Sequence, residues 1–178
     1  MSTPKAPDPA KLVVSVFMKE RQAFDQIFDQ LEAIAGPCDI ISKWLDFDFT
    51  DYYYQEMGAP LYRRLIAFKP LIEQASLASI KLATNLLEKR CLDGGNRQVN
   101  IDPGYLLSSR FVLATGKEYS HRIYIGQNIY ADLTLMYTKK GFKTLEWTYP
   151  DYASPAVTGF LEKVRTKYLL DLKERKLL

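Results

Sequence analysis

Residues 100–147 hold the pattern that decides the fold: NIDPGYLLSSRFVLATGKEYSHRIYIGQNIYADLTLMYTKKGFKTLEW. Residues 121–125 and 129–137 alternate between apolar and polar side chains, which is typical of strands that are buried on one face. A turn signal at residues 139–141, Lys-Lys-Gly, separates the second strand from a further short strand at 142–147. The stretch therefore predicts consecutive antiparallel hairpins.

The length of the first hairpin loop follows from this alternation. Successive side chains of a strand point to opposite faces, so the two apolar faces coincide only if the loop has three residues, Gly-Gln-Asn at 126–128. The resulting register places Arg122 opposite Asp132 and Tyr124 opposite Tyr130. An ion pair across the two strands is thus a prediction of the register.

One face of the predicted sheet collects polar and aromatic side chains: Arg122, Tyr124, Tyr130, Asp132, Thr134 and Glu146. Such a face is either solvated, with cross-strand pairs worth about 0.2–1 kcal/mol each, or the floor of a pocket for a polar ligand. In a pocket, Arg122 and Lys117 are the candidates for binding an anionic group, because cationic side chains bind phosphate and carboxylate. Tyr124 and Tyr130 are the predicted walls.

Three residues are candidates for catalysis: His121, Asp132 and Glu146. Two carboxylates in a shared cleft can separate in pKa, so that Asp132 or Glu146 can act as a general base. His121 falls by parity on the apolar face, opposite Leu133. A lone histidine there is more often a structural hydrogen-bonding residue, although an ordinary pKa near ~6.5 suits acid–base chemistry inside a pocket.

Length, charge and cysteine content restrict the class of protein. The chain of 178 residues fits one domain, predicted at residues 11–172 after a proline-rich flexible tail at residues 1–10. A net charge of +3 and a pI near 8.7 argue against a nucleic-acid partner. No apolar run reaches the roughly 20 residues of a membrane helix, and no signal peptide is expected. Cys38 and Cys91 are isolated, which predicts reduced thiols in a cytoplasmic protein.

The remaining elements alternate along the chain. Further strands are predicted at residues 11–18, 39–49, 61–69, 97–102 and 110–115. Helices are predicted at residues 20–35, 70–92 and from the N-cap Ser154 onward, with Pro70 opening the second of them. Pro103 and Gly104 predict a turn between two strands.

The order β-α-β-β-α-β over the first hundred residues matches the ferredoxin-like arrangement. The predicted fold class is therefore α+β, with a ferredoxin-like first half extended by antiparallel hairpins and a C-terminal helix. The helices are expected on one main face of the sheet.

Two polar clusters precede the central stretch. Within helix 70–92, a stripe recurs at i, i+3, i+4 and i+7, which is typical of a solvated helix face: Lys81, Thr84, Asn85 and Glu88. Asn85 and Asp102 are candidate ligand contacts if this helix approaches the polar sheet face. Four acids lie in or near the loop at 50–58, but their spacing fits no metal motif and no metal site is predicted: Asp46, Asp48, Asp51 and Glu56.

The motifs of several common chemistries are missing. A phosphate-binding GxxxxGK[ST] loop is excluded because Phe111 stands where Gly116 and Lys117 would require the first glycine. The sequence also lacks GxGxxG, GxSxG and HExxH motifs and paired cysteines. No cofactor is therefore predicted.

Six segments together resemble a bacterial family, the domain of unknown function 4416: YYYQEMG at 52–58, KLATN at 81–85, NIDPGYL at 100–106, ATGKEYSHRIYIG at 114–126, IYADLTL at 129–135 and WTYPDY at 147–152. The resemblance spans residues 11–168 and implies a cytoplasmic bacterial protein without an established function. Some members carry a GTP-binding label, but this sequence lacks both the phosphate loop and an Asn-Lys-x-Asp guanine motif. No functional residues carry over from the family.

These observations favour a protein that binds an anionic small molecule, such as a nucleotide or a phosphorylated metabolite. Whether it also acts on that molecule as an enzyme is left open. A non-catalytic protein-interaction or assembly module is the first alternative. A single-stranded RNA-binding module is the second, since ferredoxin-like sheets with exposed aromatic residues can stack unpaired bases.

Overall fold

The structure is a computed structural model that describes residues 1–177. The strands are β1 (Ala10–Met18), β2 (Cys38–Ile41), β3 (Leu45–Asp46), β4 (Tyr62–Ile72), β5 (Leu92–Asp93), β6 (Asn96–Arg97), β7 (Val99–Leu106), β8 (Arg110–Thr115), β9 (Arg122–Tyr124), β10 (Tyr130–Thr138) and β11 (Gly141–Thr144). The α-helices are α1 (Phe24–Ala35), α2 (Tyr54–Met57), α3 (Leu77–Arg90) and α4 (Pro155–Leu177).

Nine of the strands form one antiparallel sheet. The order is β11-β10-β8-β7-β1-β4-β2, with β3 paired to β4 and β9 paired to β10. Strands β5 and β6 form a separate short hairpin. The protein is therefore an α+β protein, as the sequence predicts.

The helices cover both faces of the sheet. All nine residues of β1 are buried, so its apolar run needs a covering layer on each side. Val14 and Val16 pack in the cluster that contains residues of α1 and α3. Val13 packs in the cluster that contains the apolar face of α4. The prediction that the helices lie on one main face is wrong, because the alternating side chains of β1 are apolar on both sides.

Pro70 does not open a helix, because it lies within β4. The register of β1 against β4 shifts between Lys11 and Val13, opposite the segment that contains Pro70. A bulge is a place where a strand tolerates proline, since no ladder hydrogen bond needs the missing N–H. Helix α3 begins later, at Leu77, after a short 3-10 turn.

Pro103 and Gly104 do not form the predicted turn either, because β7 runs straight through them. The backbone groups of Ile101 point away from β1, towards α3. In an antiparallel strand, residues two apart direct their N–H groups to the same side, so the missing N–H of Pro103 also falls on the side away from β1. No hydrogen bond to β1 is lost.

Two other predicted strands are shorter in the structure. Residues 39–49 form two separate strands, β2 and β3, which pair with β4 on either side of a break. Strand β11 ends at Thr144, so Glu146 lies beyond it. The loop that contains residues 50–58 includes the one-turn helix α2.

None of the helices among residues 1–177 combines the length and the apolarity needed to cross a membrane.

The register of the β9–β10 hairpin is confirmed. Arg122 pairs with Asp132, Ile123 with Ala131 and Tyr124 with Tyr130. The Ile125 N–H donates to the Ile129 carbonyl oxygen at 2.9 Å, which closes the three-residue loop. Arg122 and Asp132 therefore share a face.

Candidate functional site

A cavity of about 670 Å³ opens on the α4 side of the sheet, next to the turn that leads into α4. Its floor consists of strand residues that share this face: Phe17, Arg63, Asn100, Asp102, Leu113 and Asp132. Farther along the same strands, Val13, Leu65 and Phe111 pack in the cluster that contains α4 residues. The cavity is the part of this face that α4 leaves open.

The sheet splits beside the cavity, between β7 and β8. Strand β7 pairs with β1 over its whole length, but with β8 only from Gly104 to Leu106. Along the free edge, Lys81 Nζ of α3 donates to the Ile101 carbonyl oxygen at 2.8 Å, and Glu88 Oε1 accepts from the Ile101 N–H at 2.5 Å. Helix α3 thus satisfies the backbone groups on the free edge of β7 and brings its polar residues to the cavity.

A chain of charged and polar groups follows one wall. Lys81 Nζ lies 3.1 Å from Asp102 Oδ1, and Asn100 Nδ2 donates to Asp102 Oδ2 at 2.6 Å. Arg97 Nη1 donates to Asn100 Oδ1 at 2.9 Å, while its Nη2 lies 2.6 Å from Glu56 Oε2. The hydrogen bond from Arg97 lowers the pKa of Glu56. Each of these groups is held by a neighbour, which fixes the wall before any ligand arrives.

Glu88 contributes a carboxyl group from α3 to the same wall. Burial raises the pKa of its carboxyl group, although the charge of Lys81 and the Ile101 N–H act in the opposite direction. A carboxyl group with a raised pKa exchanges its proton nearer to neutral pH than an ordinary glutamate does. Glu88 is therefore suited to acid–base chemistry in this wall.

Asp132 lies at the centre of a second cluster. It is 4% exposed, and its Oδ2 lies 3.0 Å from Arg122 Nε and 3.2 Å from His121 Nε2. Arg122 Nη1 donates to the Lys117 carbonyl oxygen and Nη2 to the Tyr149 hydroxyl group, both at 3.0 Å. Burial opposes the charge of Arg122, but hydrogen bonds to Asp132 and Tyr149 raise its pKa overall. All three nitrogens of the Arg122 guanidinium group therefore donate hydrogen bonds to groups of the protein.

The predicted orientation of His121 is wrong. His121 lies outside β9, in the turn that precedes it, so strand parity does not govern its side chain. Its ring stacks on Trp147 at 4.9 Å between centroids and reaches Asp132 from there. The Trp147 indole nitrogen donates to the Leu133 carbonyl oxygen at 2.8 Å, which fixes the stack.

Arg63 is a buried cation in the cavity floor. It is 3% exposed, and its Nη2 lies 2.5 Å from Asp151 Oδ2. Its Cζ lies 4.5 Å from the ring centroid of Phe47 and 5.0 Å from that of Tyr152. Neighbouring Arg64 points to the other face and donates to the Ser42 carbonyl oxygen. The two arginines are neighbours in β4 and therefore lie on opposite faces of the sheet.

Aromatic side chains form the remaining walls: Phe17, Phe47, Phe49, Tyr52, Tyr53, Tyr149 and Tyr152. Phe17 and Phe47 stack with centroids 4.4 Å apart. Burial raises the pKa of Tyr53 to about 12, so this phenol stays protonated at neutral pH. Lys117 lies at the rim, with its Nζ 5.2 Å from the Tyr52 ring centroid.

The structure brings together five of the nine residues proposed from the sequence: Asn85, Asp102, Lys117, Arg122 and Asp132 all line the cavity. His121 is not a lining residue, but it contacts one of them, Asp132. Tyr124 and Tyr130 pack against each other at 5.5 Å, away from the lining, and Glu146 is exposed beyond β11.

Sequence reasoning missed several residues of the cavity: Arg63, Lys81, Glu88, Arg97 and Asp151. The stripe of α3 was the available signal, but it suggested a solvated face, whereas Lys81 and Thr84 are buried. Tyrosine-rich loops at residues 52–58 and 147–152 supply the walls that Tyr124 and Tyr130 were expected to form. Among the described residues, no three His, Cys, Asp or Glu side chains come together as metal ligands.

The fold and the site define an α+β protein with a charged, aromatic-walled cavity at a split in an antiparallel sheet. The family model of the domain of unknown function DUF4416 matches residues 8–168, and the chain belongs to this family. Comparisons with curated proteins and with solved structures gave no significant match.

Proposed function

We propose that the cavity binds an anionic small molecule, such as a nucleotide or a phosphorylated metabolite. Five cationic side chains line it, Arg63, Lys81, Arg97, Lys117 and Arg122, against four carboxylates, Glu88, Asp102, Asp132 and Asp151. A volume of about 670 Å³ lies within the range of small-molecule sites.

Lys117 is the observation that carries this proposal. Four of the five cations lie within 4.0 Å of a carboxylate: Arg63, Lys81, Arg97 and Arg122. Lys117 has no such partner among the described residues, and its closest polar contact is the Tyr52 hydroxyl group at 3.4 Å. An ammonium group at the rim of a pocket, free of an internal counter-ion, is available to a ligand's negative charge. The nearby tyrosines offer flat surfaces for a base or another apolar group.

A thermal-shift screen tests the proposal. A ligand that binds only the folded protein raises its melting temperature by mass action. Nucleotides, phosphorylated metabolites and short single-stranded RNA are compared at constant ionic strength. Lys117→Ala should reduce the shift caused by any anionic ligand while leaving the melting temperature of the free protein nearly unchanged. Lys89→Ala, an exposed lysine on α3, serves as the control.

If no anion stabilises the protein, or if Lys117→Ala and Lys89→Ala respond alike, the proposal is wrong. Stabilisation by RNA, and not by small anions, would favour the nucleic-acid alternative instead.

We also propose that the site is carried by a ferredoxin-like unit within the larger sheet. The order β7-β1-β4-β2, antiparallel throughout, supports this arrangement. Helix α1 follows β1 and helix α3 follows β4, which gives the β-α-β-β-α-β sequence with β3 and α2 as additions. Strands β8 to β11 would then extend that unit on the side of β7.

For location, we propose the bacterial cytoplasm. Cys38 and Cys91 are both free thiols. Isolated thiols suit a reducing compartment.

A further inference from the structure

Two buried cations on the α4 side of the sheet differ in how they are satisfied. Lys11 is 0% exposed, and its ammonium group contacts Asp39, Asp171 and the Lys69 carbonyl oxygen. Each of its three hydrogens has a partner, as expected of a structural ion cluster. Arg63 is also buried, at 3% exposed, but among residues 1–177 only its Nη2 has a partner, the carboxylate of Asp151.

Arg63 retains unused hydrogen-bonding capacity. Its Nε and Nη1 are buried and have no hydrogen-bond partner among the described residues. Buried donors in folded proteins are almost always paired, so an unpaired donor marks a cost that packing alone does not explain.

The surroundings hold this charge in a fixed position. The rings of Phe47 and Tyr152 flank the guanidinium group at 4.5 and 5.0 Å from its Cζ. Asp151 and Tyr152 belong to a segment, residues 149–152, that forms one wall of the main cavity. Arg63 also lines a second cavity of about 420 Å³, together with Lys43 and the start of α4. Arg63 thus lies between two cavities, and Asp151 is its one ionic partner in the part of the chain that the structure describes.

We infer that Arg63 is an oxyanion subsite that the carboxylate of Asp151 occupies in the free protein. A phosphoryl or carboxylate group of the ligand displaces Asp151 and takes up the unused donors. Several acceptor oxygens on one group suit a guanidinium better than the single oxygen that Asp151 supplies. Because Nε and Nη1 are covered, the segment at residues 149–152 has to shift when the ligand enters. This inference rests on the proposed binding of an anion in the cavity and names where its charged group lies.

Asp151→Asn provides the test, because it removes the competing negative charge and leaves Arg63 in place. Binding of sodium pyrophosphate and of malonate is measured by calorimetry at constant ionic strength. The variant should bind at least one of them about tenfold more tightly than the wild-type protein, since a carboxylate in direct contact no longer competes. The better ligand of the two identifies the group as phosphoryl or carboxylate.

Two further variants control for charge and for folding. Asp29→Asn removes the same charge from the exposed surface of α1, outside the cavity, so its affinity should stay within about twofold of wild type. The double variant Arg63→Met with Asp151→Asn removes both partners of the buried pair, a change that folded proteins often tolerate. It should lose the gain in affinity.

The inference is overturned if Asp151→Asn binds neither anion more tightly, if Asp29→Asn gains as much, or if the double variant keeps the gain. If Asp151→Asn does not fold, the Nε–H resonance of Arg63 in the wild-type protein decides. A shift of that resonance with saturating pyrophosphate supports the subsite, and its constancy overturns it. If the tests at Arg63 fail but Lys117→Ala still reduces the thermal shift caused by anionic ligands, this inference is wrong and the proposed function stands.

Discussion

The ammonium nitrogen of Lys81 lies 2.8 Å from the carbonyl oxygen of Ile101, so a helix side chain occupies the place of a neighbouring strand. The contact lies where β7 has separated from β8. Glu88 completes it by accepting the N–H of the same residue. The polar stripe of α3 is therefore part of the sheet's hydrogen bonding, and several predictions about stability depend on it.

Two replacements of Glu88 should separate the role of its hydrogen bond from the role of its charge. Glu88→Leu removes the acceptor of the Ile101 N–H, and a buried N–H without a partner costs about 1–3 kcal/mol. Glu88→Gln keeps a carbonyl acceptor and should retain most of the stability. Urea unfolding measures both, with the exposed Lys89→Ala expected within about 0.5 kcal/mol of wild type. Equal losses in the Leu and Gln variants would contradict the assigned hydrogen bond.

The stability of the wild-type protein and that of Glu88→Gln should depend differently on pH. Burial raises the pKa of Glu88 above its ordinary value of 4.5, so the folded state binds more protons than the unfolded state just above that pH. The contribution of Glu88 to stability is therefore complete below pH 4.5 and declines as pH rises through the raised pKa. Glu88→Gln cannot titrate, so it should gain stability relative to wild type over this window. A constant difference would mean that the pKa is not raised.

Two glycine-to-alanine changes should act in opposite directions. A Cβ at Gly104 would lie 2.5 Å from the Val112 carbonyl oxygen, so Gly104→Ala must push β7 and β8 apart. Overpacking of this kind costs about 1–3 kcal/mol. Gly159 lies inside α4 with nothing within 4 Å of an added Cβ, so Gly159→Ala should stabilise by about 0.5–1 kcal/mol. Thermal unfolding that ranks the two variants in the reverse order would refute this packing.

Arg122→Ala should destabilise the protein. The change leaves the buried carboxylate of Asp132 without its guanidinium partner, and breaking a buried pair in this way costs about 3–5 kcal/mol. Lys117→Ala, at the exposed rim of the same cavity, should leave stability nearly unchanged. Chemical denaturation compares the two variants. A loss below about 1 kcal/mol in Arg122→Ala would show that Asp132 is satisfied by other groups.

Acid should weaken the attachment of α4 to the sheet. Burial alone would raise the pKa of Asp171, but hydrogen bonds from Lys11 and Lys167 lower it below its ordinary value of 3.8. The stabilisation is therefore complete above pH 3.8 and is lost as pH falls through the lowered pKa. Unfolding between pH 2 and 5 should be less steeply pH-dependent in Asp171→Asn than in the wild-type protein. Parallel curves would place the acid sensitivity elsewhere.

The features that local sequence predicts correctly are those with a local cause. The loop of the β9–β10 hairpin follows from side-chain parity, and Gln127 and Asn128 adopt φ values of 56° and 58°, which a tight turn requires. The predictions made from Pro70 and Pro103 were wrong because the effect of each proline depends on distant strands. Each lies where its missing N–H deprives no neighbouring strand, and that depends on a bulge and on a split in the sheet.

The candidate site was predicted in part because its strand residues share a parity, as Arg122 and Asp132 do. Its other half depends on which way α3 turns its polar stripe, which the spacing of Lys81 and Glu88 alone does not decide. Arg63 gave no signal of its own, since a buried arginine and an exposed one occupy the same alternating pattern. Long-range packing determines both the orientation of the α3 stripe and the burial of Arg63.

The cluster of Lys11, Asp39 and Asp171 joins positions up to 160 residues apart. At a synthesis rate of roughly 5–20 residues per second, the second carboxylate follows the lysine by on the order of ten seconds or more. Throughout that interval the nascent chain carries a cation in a strand whose covering helix does not yet exist. Strand β1 is thus made before its covering helix, and the Lys11 ammonium group gains its last hydrogen-bond partner, Asp171, only after α4 has left the ribosome.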